Sequence, residues 1–338
     1  MTIEHSVSLK TYNTFGIAAV ADAFVAIRSE ADIQALVATG RLRHQPFLIL
    51  GGGSNIVFSQ DYHGTVVHME TKGVRLHSVD GDEVLVEAQA GEEWADFVDR
   101  CISQDWYGLE NMAGIPGTVG AAPVQNVGAY GAEAKDFIHL VRAYDVQTGQ
   151  LRVFTNKECR FAYRNSVFKQ ELKDRYIVAS VVFRLRREFE PNLEYRALTN
   201  AVAQRGYGHP TARQVAEVVV TVRESKLPNP KQTGSAGSFF KNPVVTASFH
   251  DDLKHRFPEL VSFVVDDGHY KLAAGWLIEH AGWKGKDMGR AGVYEKQALV
   301  LVNRGGCTGR DVTRLAQAVV ADVEDKFGVR LEPEAIII

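Results

Sequence analysis

AGIPGTVGAAPVQNVGAYG, residues 113–131, is the stretch on which the reading of this chain turns. Glycine, alanine and proline leave it little side-chain bulk. Its backbone can therefore come close to another surface, and its amides can bond acceptors there without flexible side chains. A solvated linker is the bland alternative, but Ile115, Val119, Val124, Val127 and Tyr130 make the run too apolar for one. It should wrap a bulky, flat ligand.

Upstream, GGGSN (residues 51–55) directly follows the strand-like FLIL, which Pro46 opens. Glycines permit sharp turns and close approach, and consecutive N–H groups with the Ser54 hydroxyl can face phosphate oxygens. An ordinary glycine-rich turn would look the same in isolation. The run is not a P-loop, because no Lys-Ser/Thr pair follows, and it lacks the third glycine of a dinucleotide fingerprint.

Around these two runs, 338 residues are enough for two or three domains. Hydrophobic residues at 45% and charged residues at 23% place the chain among ordinary globular proteins rather than disordered ones. A formal net charge of -3 offers no general attraction to nucleic acid or an anionic membrane, so any phosphate binding must be local. The opening MTIEHSVSLKTYNTFG has neither the basic start nor the apolar stretch of a secretory leader, and runs such as AEVVVTV are too short to span a bilayer. A cytoplasmic protein is expected. Cys101, Cys159 and Cys307 are an odd, scattered set that suits a reducing compartment and reads as structural. The eleven histidines include no HExxH pair and no Cys/His cluster with ligand spacing, so no metal is expected; His63 and His68 read as solvated, and His250 and His255 lie in a polar stretch.

Strand-like and helix-like segments alternate, which favours a mixed α+β fold. Ser29 caps a short helix that buries Ile33, Leu36 and Val37 and stops near Gly40. A strand after the Asp80/Gly81 turn leads into a helix with Trp94, Phe97, Val98 and Cys101 along one stripe. YIVASVVFRLRR reads as a strand, followed by a helix from Thr211 to about Lys226, and the breaker-rich LPNPKQTGSAGS marks a domain boundary. A last helix carries Val312, Leu315, Val319 and Val323 and ends at Gly328; VRLEPEAIII should then join a sheet that covers its isoleucines. If a strand period of two holds past Pro333, Glu332 and Glu334 share one face.

GGGSN, IPGTVGAAPVQNVGAYG, FAYRNSVFK, GSAGSFFKNP and QALVLVN follow one another in the order found in UDP-N-acetylenolpyruvoylglucosamine reductases, and with the closing LEPEAIII the chain resembles that family over nearly its whole length. The resemblance implies non-covalent FAD, NADPH as reducing co-substrate, and a vanillyl-alcohol-oxidase (PCMH)-type FAD-binding fold of two subdomains plus a C-terminal α/β substrate-binding domain. The expected division is residues 1–72 with 329–338, then 73–226, then 227–328, with the FAD region at about 17–188. No nucleic acid, membrane or obligate protein partner is implied.

Carried over residue by residue, the resemblance gives Arg164 as the arginine facing the substrate carboxylate, Ser238 as proton donor to C2, and Glu334 as the carboxyl that works beside them. It implies cofactor contacts from Gly51, Gly52, Gly53, Ser54, Asn55, Ile115, Pro116, Gly117, Thr118, Val119, Gly120, Asn126, Gly128, Ala129 and Val178. Substrate contacts fall to Tyr195, Lys226, Asn242, Lys284 and Gln297, Tyr195 being the loop tyrosine of one family branch. Glu332 is expected to be solvated or structural. Asn165 stands where many relatives have aspartate, and Ala335-Ile336 where Val-Arg is commoner, which puts arginine support near Glu334 in doubt. Another FAD-dependent oxidase of the same fold, or a nucleotide-sugar sensor, would be the alternatives.

Overall fold

Ser29 accepts the Asp32 N–H while the Asp32 carboxylate accepts the Ser29 N–H, a reciprocal cap that starts the helix Glu30–Ala38 and buries Ile33, Leu36 and Val37. The same local logic runs through the computed structural model, which describes residues 1–338. The chain forms two compact units. The first comprises Met1–Val7, Ala21–Gly52 and His63–Glu224; the second comprises Ser8–Val20, Gly53–Tyr62 and Ser225–Ile338.

In the first unit an antiparallel five-stranded sheet runs Leu151–Thr155, Ile138–Asp145, Tyr176–Arg186, Glu83–Gln89, Val74–Asp80. The expected strand at Tyr176–Arg186 is its central member, paired along both edges, and is mostly apolar because its residues from Ile177 to Phe183 are buried on both faces. The helix Trp94–Ser103 sets Trp94, Phe97, Val98 and Cys101 into the core, where the Phe97 and Phe183 rings lie 4.9 Å apart. A second sheet is made by Ile3–Ser8, Val20–Ile27, Tyr62–Met69 and Phe47–Leu50, all within this unit apart from Ser8, Val20 and Tyr62. Its last pair is parallel and delivers the chain from Phe47–Leu50 into the glycines at 51 and 52.

A polar knot crosses the five-stranded sheet. Glu87, 1% exposed, accepts from Ser180 Oγ (2.6 Å), Arg142 Nη1 (2.7 Å) and Arg75 Nη2 (2.6 Å). Burial works against its charge, but the hydrogen bonds from Ser180, Arg75 and Arg142 outweigh it and hold the carboxyl down at about 2.

The second unit carries a four-stranded antiparallel sheet ordered Ser235–Ser238, Val300–Asn303, Ala291–Val293, Asp287–Met288, and a three-stranded sheet ordered Val244–Thr246, His269–Leu272, Ser262–Asp266. The helix Gly309–Phe327 buries the predicted stripe and ends on Gly328 in the left-handed conformation (φ 70°).

Two expectations need correction. The closing segment is not one unbroken strand: Pro333 forms an isolated antiparallel bridge with Phe240, flanked by Lys241 N–H to Glu332 O (2.9 Å) and Glu334 N–H to Phe239 O (2.7 Å), and Ile336–Ile337 then pair in parallel with Ile56–Val57, both isoleucines staying about 40% exposed. His250 is buried, stacked on Tyr270 with ring centroids 3.8 Å apart and bonded to Ser262, and His68 is half-buried against Glu70. All three cysteines are free and buried, and burial raises each thiol, Cys159 and Cys307 to about 12. No helix is long and apolar enough to cross a membrane.

Candidate active site

Two motifs far apart in sequence meet in the first unit. A Cβ on Gly51 would lie 2.3 Å from Thr118 Oγ1, and one on Gly52 would lie 3.2 Å from Gly117 Cα. A side chain at 51 would thus displace Thr118 and one at 52 would fit only tightly against residues 117–118, which are themselves pinned by Trp94 N–H to Gly117 O (2.9 Å) and Val119 N–H to Glu92 O (2.9 Å). Gly120 is fixed in the same way, its N–H donating to Ala90 O at 2.8 Å. Ile115, Val119 and Val178 are buried beneath this run. The result is a ridge of bare backbone with hydroxyl-bearing Thr118 and no carboxylate among its glycines. With the Val119 and Gly120 amides already bonded to Glu92 and Ala90, what the ridge offers a ligand is close approach of backbone free of like charge.

The run continues into a hairpin in which Gly128–Ala129 pairs with Ala132–Glu133 across Tyr130 (φ 49°) and Gly131 (φ 84°). Both central residues are left-handed, the requirement of a tight two-residue hairpin turn. Arg164 docks on its start: Nη1 donates to Asn126 O (3.3 Å) and Nη2 to Gly128 O (2.9 Å). Arg164 itself lies in a turn in which Ala162 and Asn165 exchange both main-chain bonds (3.0 and 3.1 Å), and its φ is 53°. Asn126, expected to touch cofactor, is fully buried with its carboxamide bonded to Glu133, Ala162 and Lys135.

Tyr195, 43% exposed, stands edge-on to Tyr130 with centroids 5.4 Å apart. Arg223 Nε donates to Gly114 O at 3.2 Å; desolvation presses its guanidinium below the usual arginine range while the nearby Tyr130 opposes that shift. Burial raises the Tyr130 phenol. In sequence Tyr130 reads only as apolar bulk and Arg223 carries no signal; the Tyr-Gly dipeptide at 130–131 is the turn signal that points to the former.

In the second unit Ser238 ends the strand Ser235–Ser238, paired with Val300 and half-buried. Gly237 before it has φ 67°, and Phe239 after it is buried. The Phe239 carbonyl accepts the Glu334 N–H at 2.7 Å, and Asn55 Nδ2 reaches Glu334 O at 3.3 Å, so half-buried Glu334 is held beside the Ser238 strand and the end of GGGSN. Gly53 is also obligatory, since a Cβ there would meet Tyr12 O at 2.0 Å. Asn242 Oδ1 caps the Ala274 N–H (2.9 Å), and Gln297 Oε1 accepts from Leu299 N–H (3.3 Å). Lys284 pairs with Glu279 at 2.8 Å, Lys226 is exposed, and exposed Glu332 pairs with Lys241 at 3.2 Å. Arg164 and Tyr195 therefore belong to one unit, and Ser238, Lys226, Asn242, Lys284, Gln297 and Glu334 to the other.

Residues 21–155 match the family model described as FAD binding domain, and residues 229–338 match the C-terminal domain of UDP-N-acetylenolpyruvoylglucosamine reductase. Reductases of that name from Bdellovibrio bacteriovorus (48% identical, 99% of each chain) and Pseudomonas aeruginosa (47% identical, 99% of this chain and 98% of the relative) align along essentially the whole sequence. The chain belongs to the UDP-N-acetylenolpyruvoylglucosamine reductase family. It is an FAD-dependent oxidoreductase of peptidoglycan synthesis with the α+β, PCMH-type fold expected from its motifs. The solved reductase from Thermus caldophilus shares that fold with a TM-score of 0.68, at 23% identity, over 100% of this chain and 99% of the other. The bare-backbone ridge at 51–52 and 117–120 lies inside the matched FAD-binding region, where its lack of side-chain bulk fits the close approach of a dinucleotide.

Proposed function

We propose that the chain reduces UDP-N-acetylglucosamine enolpyruvate to UDP-N-acetylmuramate, with NADPH as electron source, in the cytoplasm. The observation that supports this most is near-full-length identity of 47–49% to proteins carrying that reductase name, among them the Bordetella pertussis protein. The chemistry FAD supplies when bound is hydride storage between NADPH and C3 of the enolpyruvyl ether. Addition of hydride at C3 leaves negative charge at C2 and on the attached carboxylate, and that charge is what the protein must stabilise.

Arg164 takes the carboxylate with its planar fork, and its bonds to two main-chain carbonyls fix the direction of that fork. Ser238 donates the proton to C2, and Glu334 supports the developing charge. Tyr195, Lys226, Asn242, Lys284 and Gln297 hold the UDP-sugar, Lys226 as a point charge on the diphosphate. Residues 51–55, 115–120, 128–129 and 178 line the FAD site, with Asn126 contributing through its main chain. The three-part division at residues 72, 226 and 328 belongs to the same reading.

The direct test is turnover by the purified yellow protein. NADPH oxidation that requires the UDP-enolpyruvyl sugar supports the proposal. Rapid oxygen consumption with an alcohol and no NADPH would mean an oxidase, and tight UDP-sugar binding without flavin would mean a sensor.

A further inference from the structure

Arginine is a poor residue for the position it occupies at 164. The turn 162–165 places its third residue in the left-handed region, which glycine or asparagine adopts readily and other side chains adopt at a cost of about 1 kcal/mol. Such a conformation persists only where its surroundings over-determine it. The surroundings here converge on one side chain. Asn126, 0% exposed, donates from Nδ2 to the Ala162 carbonyl (3.0 Å), the first residue of the turn, and to Glu133 Oε2 (2.9 Å), while its Oδ1 accepts the Lys135 N–H (2.9 Å). Its main-chain carbonyl accepts from the Arg164 guanidinium (3.3 Å). One residue therefore grips the turn at its base and the arginine at its tip.

The anchoring runs outward as well. Glu133 also pairs with Lys135 at 2.8 Å, which raises the Lys135 ammonium, and the Asp136 carboxylate accepts the Glu133 N–H at 2.9 Å. Asn126 is itself left-handed (φ 47°), where a carboxamide is among the few side chains tolerated. A buried amide bonded on three sides is a stiff spacer, and losing one partner would leave a polar group unsatisfied in the core.

We propose that Asn126, anchored by Glu133, is a positioning residue for the reaction: it holds the turn 162–165 so that the Arg164 guanidinium points at the substrate carboxylate. This rests on the reading of Arg164 as the carboxylate-facing arginine, and the experiment separates the two. Asn126→Asp keeps the shape but replaces the donor with a carboxylate facing Glu133. Glu133→Ala removes the anchor at a partly exposed side chain and carries the test if the first variant does not retain FAD.

Both half-reactions are followed by stopped-flow on the holoenzyme for each variant, alone and combined with Arg164→Lys. The expected result is that Asn126→Asp slows sugar reduction about 10- to 100-fold, more than it slows flavin reduction by NADPH, with Glu133→Ala smaller in the same direction. In the Arg164→Lys background either change should cost less than about twofold more, because a residue that acts through the arginine has nothing left to aim. Equal slowing of both half-reactions, or a full additive loss on top of a slowed Arg164→Lys enzyme, overturns the positioning role and leaves that of Arg164 intact. An Arg164→Lys enzyme as fast as the native one overturns both.

Discussion

The N–H of Glu334 donates to the carbonyl of Phe239 at 2.7 Å, one residue beyond Ser238. This bond, with Ile336 N–H to Asn55 O at 2.9 Å, ties the closing segment of the chain to the strand that carries the serine. Only main-chain atoms are used, so the carboxyl of Glu334 contributes nothing to either bond.

Glu334→Gln is nearly isosteric and keeps both main-chain bonds, so it should fold with a stability change of about 1 kcal/mol, while turnover falls by about 10² or more if the carboxyl supports charge at C2. Thermal melts beside steady-state kinetics check this. A large drop in melting temperature with unchanged turnover would place the side chain in the scaffold instead.

At position 164 stability and activity should part company. Glycine would relieve the left-handed strain, about 1 kcal/mol, but would forfeit two hydrogen bonds to carbonyls, about 1 kcal/mol each and more for a charged donor. Arg164→Gly should thus lose about 1 to 5 kcal/mol by denaturant titration, still folded, while losing most of its sugar reduction. Normal turnover in that variant would remove the arginine from the chemistry.

Glu87 gives the first unit an acid limit. Its folded-state carboxyl, at about 2, lies below that of an unfolded glutamate, so its stabilisation is complete above the unfolded value and is lost as pH falls through the folded one. Glu87→Gln should cost about 3 kcal/mol near neutral pH, because Arg75 and Arg142 lose their common partner. The native protein should lose this advantage between roughly pH 4 and pH 2, so that the gap to the variant closes there. A gap that stays constant in acid melts would contradict the assignment.

What the sequence disclosed was mostly local. Ser29 and Gly328 mark helix ends because capping needs only neighbouring residues. Likewise, a central strand such as Tyr176–Arg186 declares itself by an apolar run. The glycines at 51 and 52 read in sequence as an approach to phosphate, whereas in the fold the surface beside them is Gly117–Thr118. The closing segment misled because its isoleucines suggested burial, whereas its pairing is set by Phe240 and by Ile56–Val57, both distant in sequence. Asn126 was expected as a cofactor contact, but its bonds to Glu133, Ala162 and Lys135 were not legible, nor were the contacts of Tyr130 with Tyr195 and of Arg223 with Gly114, because no spacing rule brings those partners together.

Ser238, proposed as the source of the C2 proton, is the residue on which the proposed reaction turns. Stopped-flow kinetics of Ser238→Ala, with the two half-reactions measured separately, tests it most directly. Flavin bleaching by NADPH should proceed at close to the native rate while reoxidation by the enolpyruvyl sugar slows by about 10² to 10⁴. Equal slowing of both, or native-rate reoxidation, would contradict the account.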